Sequence, residues 1–409
     1  MKSLFISIFF LLLSHFTCFS QQNFILSGTI KDKKGEPLPG AGVYVSGYKI
    51  ATATDNNGRY SLSLKPGNYD ILVQLIGFKA LNKNILIVDK SVEQHIVLEE
   101  SAIQLSDVTI KPDPDRQYYI NVFKNMFIGQ TVNAAACKII NPEILRINFD
   151  KAERLLSVST DQFLIIENKA LGYRIKYLIN AFEYDYKSRI VYYEGFPTYE
   201  DLQGSNSRKQ KWAKKRLIAY RGSPQHFFKS MFDGTINAEG FEIYKLIRTD
   251  NKNRPSDSVI NANIKRLTAG TPNFIQDVKA GDSLNKWVRL RKEPKKMAVL
   301  NQSKLLTDTL VKPYNSAIKS INFSDVLYVV YKNETEAPEF TNLLGMSVSR
   351  PMNLENTQVS LINLQVAPVY FFRNGGIYNP KSMLYEGYWA WEKIADSVPM
   401  DYQTTEKQP

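Results

Sequence analysis

The sequence predicts a mainly β protein with some helices, an α+β architecture in which a small N-terminal β-sandwich precedes a larger β-rich region with peripheral helices. Three observations carry this. From residue 24 to residue 98, apolar and polar residues alternate in short runs separated by turn chemistry, the pattern of half-buried strands. Two prolines among charges, Lys111-Pro112-Asp113-Pro114-Asp115, then disfavour helix and mark a boundary. Beyond it, aromatic and β-branched runs alternate with stretches of helical period. The chain therefore divides into a leader at 1–20, a sandwich at 21–100, a linker at 101–115 and an α+β region at 116–409.

The leader opens with Lys2, continues through Leu4, Phe5, Ile6 and the run from Ile8 to Leu13, and ends in Cys18-Phe19-Ser20. This is the basic, apolar, small-residue order of a secretory signal peptide. A bilayer-spanning helix needs about 20 apolar residues, so the short run predicts cleavage, placed after Ser20, rather than anchoring. His15, Phe16 and Thr17 stand where a lipoprotein would carry small residues before Cys18. After cleavage only Cys137 remains, and one thiol makes no internal disulfide even in an oxidising compartment.

In the sandwich, Ile25, Gly28 and Ile30 lead into the turn Asp32-Lys33-Lys34-Gly35, and Val43 and Val45 form the next run. Asp55-Asn56-Asn57-Gly58 closes a hairpin, because Asn and Gly tolerate positive φ. Tyr60, Leu62 and Leu64 share one face; Tyr69, Ile71, Val73 and Leu75 share another after Lys65-Pro66-Gly67-Asn68. A last pair of strands lies around Ile85, Ile87, Ile96 and Leu98, giving about seven in all. Asp55, Asn57 and Gly58 also resemble the opening of a calcium loop, but no bidentate acid sits where such a loop would end, and the hairpin turn is the better reading.

Ser27-Gly28-Thr29-Ile30, the stretch from Gly35-Glu36-Pro37 to Val43, Thr54-Asp55-Asn56-Asn57-Gly58-Arg59-Tyr60, and Gly67-Asn68-Tyr69 through Ile76-Gly77-Phe78 together resemble the carboxypeptidase-like regulatory domain. That resemblance implies a transthyretin-like (prealbumin-like) sandwich with a structural or interaction role, similar to the module in front of the plug of many nutrient-import outer-membrane receptors. It implies no peptidase activity. The tail from Gly387 to Tyr402, with the segments 115–133 and 167–177, resembles a family of exported proteins carrying the same kind of sandwich at the front. This second resemblance implies export and architecture, and no activity.

In the α+β region, Tyr119, Val122, Phe123, Met126 and Phe127 recur at helical spacing over 116–129, with Gly129 as the cap. Strands are expected at 144–149, 155–158, 163–167, 173–179, 182–186 and 189–193. Tyr173, Ile175, Tyr177 and Ile179 should line the buried face of a sheet, with Arg174, Lys176 and Leu178 on the wet one. Helices are expected at 205–218 and 225–232, and a weaker one at 238–246. Further strands are expected at 286–290, 303–310, 325–332 and 358–364. Trp389 and Trp391 should point to opposite sides, one of them buried.

The formal charge of +12, one less without Lys2, favours anionic lipid, lipopolysaccharide or acidic glycan as a partner. Nucleic acid, which a basic excess also favours, is the least expected partner of an exported chain. The main basic cluster, Arg208-Lys209-Gln210-Lys211-Trp212-Ala213-Lys214-Lys215-Arg216, scatters its charges around a helix and reads as a solvated face. Zinc peptidase chemistry needs clustered ligands, and only His95 and His226 survive cleavage, far apart in sequence and read as packing or capping residues. Cys137 lies between Ala134-Ala135-Ala136 and Ile139-Ile140, a buried setting rather than that of an activated nucleophile served by His226. No Gly-x-Ser-x-Gly elbow, phosphate loop or dinucleotide fingerprint is present.

Two constellations remain. Glu167, Glu183, Asp185, Glu194, Glu200 and Asp201 lie among aromatics, as the paired acids of a glycosidase would, although strand alternation places most of them toward solvent. Tyr184, Tyr186, Tyr192, Tyr193 and Tyr199 either form a sugar-stacking platform or fill the core. The reading that best fits is a non-enzymatic exported binding or assembly protein of the periplasm or outer membrane, with an envelope protein or glycan as partner, possible peripheral attachment to the outer membrane, and no cofactor, metal or catalytic residue. The alternatives are a carbohydrate-active enzyme and an accessory component of an outer-membrane nutrient receptor.

Overall fold

A computed structural model describes residues 23–101, 114–269, 278–341 and 356–404. The leader and most of the linker lie outside the described residues, and so does Leu105-Ser106-Asp107-Val108-Thr109-Ile110, whose pattern predicts one more extended segment before the prolines.

Alternation in the N-terminal part produces two four-stranded sheets. One pairs Phe24–Asp32 with Arg59–Leu64, Val92–Glu93 and Ile96–Leu98; the other runs Ala51–Ala53, Gly42–Val45, Gly67–Gln74, Leu81–Ile87. Tyr60, Leu62 and Leu64 face Tyr69, Ile71 and Val73 across a core that also holds Leu26, Ile30, Val43 and Ile87. Asp55 closes its hairpin: its Oδ1 accepts the backbone N–H groups of Asn57 (2.9 Å) and Arg59 (2.8 Å), which accounts for the Asp-x-Asn-Gly pattern without a calcium ion.

The helix Arg116–Phe127 forms where its spacing predicts and sets Phe123 and Phe127, both fully buried, against a six-stranded sheet. Burying two such rings contributes roughly 2–3 kcal/mol each. The runs expected at 173–179 and 182–186 are one strand, Tyr173–Asp185, whose pairing with Val191–Asp201 shifts register between Ile179 and Ala181. Tyr173, Ile175, Tyr177 and Ile179 do line the core, but Leu178, expected on the wet face, is buried as well.

A five-stranded sheet follows, in the order Lys296–Asn301, Phe241–Asp250, Val326–Thr335, Thr357–Leu364, Met383–Gly387, with the helix Pro224–Asp233 contributing Phe227, Phe228 and Met231 to its core. Three expectations fail here. The weak helix at 238–246 is instead the strand Phe241–Asp250: it lies between two neighbours and is covered on both faces, so Ile243, Tyr244 and Leu246 show no clean alternation. The strand at 286–290 is part of the helix Val278–Lys292, which packs on the helix Asp257–Thr268; a five-residue window cannot separate the two periods. The strand at 303–310 gives way to the strand Lys296–Asn301 and a single helical turn, Thr307–Leu310.

The C-terminal segment ties these parts together. Trp389 enters the five-stranded-sheet core and donates its indole N–H to the Gly222 carbonyl (2.6 Å), while Trp391 packs on Phe340 and Tyr388. Both are buried, on opposite sides of one helical turn. Ile394, Ala395 and Val398 then join the core around Phe123, and Met400 reaches the sandwich. There the 45–50 hairpin is held by backbone bonds: Gly47 donates to Pro197 and accepts from Met400, and Tyr48 accepts from Tyr199. Tyr48 is buried in this joint, its hydroxyl accepting from Asn374 Nδ2 at 2.6 Å.

Candidate binding cleft

Ser205 starts the basic helix Asn206–Tyr220, its hydroxyl accepting the Arg208 N–H in N-cap fashion. Trp212, Ala219 and Tyr220 point inward and fix the rotation of the helix. Trp212 is held by its indole N–H to the Lys169 carbonyl (3.0 Å), and Arg216 lies 3.8 Å over the Tyr173 ring while donating to Leu171, Gly172 and Asp201. With these two side chains committed inward, Arg208, Lys211 and Lys215 line an open cleft of about 530 Å³ together with Lys169, with Trp212 at its floor and Glu167 as its one acid. The four cations form no ion pair among the described residues; Glu167 is neutralised by Arg174 at 2.8 Å, which holds its carboxyl below the usual range.

The acids considered for catalysis are placed along the hairpin 173–201 and its neighbouring strand. Glu200 pairs with Lys176, and Asp201 with Arg216 (2.8 Å) and Lys49 (3.1 Å). Asp185 caps a turn through Lys187 and Ser188, and Glu194 is bonded to Tyr192 and to Asn180. Glu183 stands exposed beside a shallower depression of about 240 Å³ that holds no second acid. Glycosidic cleavage needs two carboxyl groups about 5–10 Å apart across a substrate; each of the two depressions offers one.

The tyrosines separate likewise. Tyr199 is buried and bonded to Ser397, whereas Tyr184, Tyr186 and Tyr193 pack against the core and Tyr192 lies under Lys381. His226 is enclosed by Tyr220, Phe241 and Tyr331. Its Nδ1 accepts the Gly222 N–H, so Nε2 carries the proton and donates to Glu239 at 3.1 Å. Burial lowers its pKa, keeping this ring neutral. His95 is exposed and joins Thr29 in the sandwich. Cys137 is buried beside Asn133, and burial pushes its thiol up to about 12, far from a nucleophile's range.

Sequence reasoning missed the buried acids. Asp396 accepts from Thr131 (2.9 Å) and Asn133 (2.9 Å), and burial lifts its carboxyl to about 6. Glu334 accepts from Gln358 (3.0 Å) and is raised to about 7, and Glu392 is raised by burial and by both neighbours' charges. No local signal marks them. Among the described residues no group of three or more His, Cys, Asp or Glu is arranged to hold a metal ion.

Residues 26–110 match the family model of the CarboxypepD_reg-like domain. That match covers the sandwich. The chain is 33% identical over 105 residues to the TonB-dependent receptor SusC of Bacteroides thetaiotaomicron, covering 22% of this chain and 10% of the receptor. It is 36% identical over 74 residues to the TonB-dependent receptor P39 of Formosa agariphila, covering 17% of this chain and 7% of the receptor. It thus spans a tenth or less of the length of these curated relatives, and the shared part is the domain they carry at this match. A DUF3823 family protein from Bacteroides ovatus is 10% identical, with 45% of this chain and 83% of that one covered, at a TM-score of 0.17, too low to carry an argument.

Proposed function

We propose that this chain is a non-enzymatic binding or assembly protein of the bacterial envelope, exported by its leader to the periplasm or outer membrane. The sandwich at 21–100 acts as an interaction module, a linker spans 101–115, and the α+β region from 116 onward carries the binding surface. The observation that carries this reading is the contrast between its acids and its cations. The acids that the sequence pattern offered for a hydrolase are, apart from exposed Glu183, committed to ion pairs, turns or side-chain hydrogen bonds, whereas four cations around an open cleft hold no ion-pair partner among the described residues. Unpaired charge in a concavity is suited to recognition.

The match between the sandwich and two TonB-dependent receptors supports an envelope setting and favours a second reading, that of an accessory to such a receptor. Affinity capture of the tagged protein from a native envelope, followed by mass spectrometry, tests both. Recovery with envelope components is expected, and co-capture of a barrel receptor would select the accessory role. Retention in the cytoplasm with Met1 intact would overturn the reading.

A further inference from the structure

We infer that the cleft against the helix Asn206–Tyr220 binds an acidic oligosaccharide, a glycan with about one carboxylate per sugar. The inference rests on the binding function proposed above and gives that surface a ligand class.

Three features select this class. First, Arg208, Lys211 and Lys215 follow one another at i, i+3 and i+7, so they share one face of the helix. At 1.5 Å per residue their backbone positions are spaced by about 4.5 and about 6 Å along the axis, a ladder that matches charges repeated once per monosaccharide. Secondly, Lys169, on the 168–172 turn that packs on the helix through Trp212, lines the same cleft, so the positive charge there comes from two segments of the chain. A bilayer presents its headgroups as a plane, and a concave site of about 530 Å³ suits an extended chain segment better. Thirdly, Arg208, Lys211 and Lys215 are exposed and form no ion pair among the described residues, while the cleft's single acid, Glu167, is held chiefly by Arg174. Trp212 is too buried to stack on a sugar, so recognition is expected to follow charge.

The proposal is tested by titrating the full mature chain calorimetrically with oligogalacturonate, with its methyl-esterified form as the neutral control. Vesicles of phosphatidylglycerol in phosphatidylcholine form a third arm. Three exposed cations contribute modestly each, but together their loss in Arg208→Gln/Lys211→Gln/Lys215→Gln is expected to weaken oligogalacturonate binding by at least about tenfold. Lys209→Gln/Lys214→Gln, on residues outside the cleft lining, is expected to change it less than about twofold, and both variants should keep the thermal melt of the parent. Rising salt should weaken the parent more steeply than the triple variant.

Equal losses in the two variants would show a response to net charge and overturn the assignment. So would binding of the esterified form with the same affinity, absence of oligogalacturonate binding, or binding to the vesicles alone. The recovered oligosaccharide is then sized by mass spectrometry: an intact chain is expected, and shortened products would refute the non-enzymatic reading while leaving the cleft's ligand class standing.

Discussion

Gly172→Ala probes how the cleft floor is built. Gly172 has φ +71°, and a Cβ placed there would come within 2.6 Å of three carbons of the Trp212 indole. The left-handed backbone alone costs an L-residue roughly 1–2 kcal/mol. Pushing a packed indole aside adds a further 1–3 kcal/mol, roughly the cost of overpacking a core. Gly234, the C-cap of the helix Pro224–Asp233, has almost the same φ, +74°, with nothing within 4 Å of its would-be Cβ, so Gly234→Ala carries the backbone cost alone. Urea denaturation followed by circular dichroism should therefore show Gly172→Ala to be the more damaging by about 1–3 kcal/mol, at equal m-values. Repeating Gly172→Ala in a Trp212→Leu background should remove that excess, because the two sites couple only through the indole. Equal losses for the two glycine variants, or an excess that persists without Trp212, would refute the packing argument.

Glu334 holds its proton in the folded chain up to about pH 7 against an ordinary 4.5, so its contribution to stability is present below 4.5 and is lost as pH rises through about 7. Glu334→Gln should gain roughly 2–3 kcal/mol on the parent between pH 5 and pH 8, and parallel denaturation curves across that range would contradict the burial. His226→Ala, which empties a site enclosed by three aromatic rings and two hydrogen bonds, should lose roughly 2–4 kcal/mol, whereas exposed His95→Ala should stay within about 0.5 kcal/mol on the same chemical melt. Tyr48→Ala removes the side chain buried in the sandwich joint and should let the sandwich melt as a separate transition in scanning calorimetry; an unchanged trace would deny the joint.

What could be read from sequence followed from how each segment meets water. The strand Arg59–Leu64 is buried at every second residue, so its alternation and its turns were legible. The strand Phe241–Asp250 lies inside its sheet, where both faces are covered and period two fades. Buried Asp396 takes its hydrogen bonds from Thr131 and Asn133, some 265 residues away, and no local pattern announces such a partner. The cleft was half legible. Its basic helix stood out as a cluster, but the inward commitment of Trp212 and Arg216, and the placement of Lys169 in the same cleft, arise only when the 168–172 turn packs on that helix.

Asp201 shows how a residue suited to chemistry by its type becomes architecture by its neighbours. Its two oxygens reach in opposite directions, one to Lys49 of the sandwich hairpin and one to Arg216 of the helix that walls the cleft. Each of these ion pairs is partly exposed and contributes at most about 1 kcal/mol. The stronger constraint is the backbone beneath them: Pro197 and Tyr199, on the strand that ends in Asp201, bond directly to Gly47 and Tyr48. With one oxygen on each cation, this carboxylate joins two elements of the fold. The same arrangement links the domain shared with the receptors to the wall of the cleft through one strand, so a partner that grips the sandwich would hold the cleft in a defined orientation.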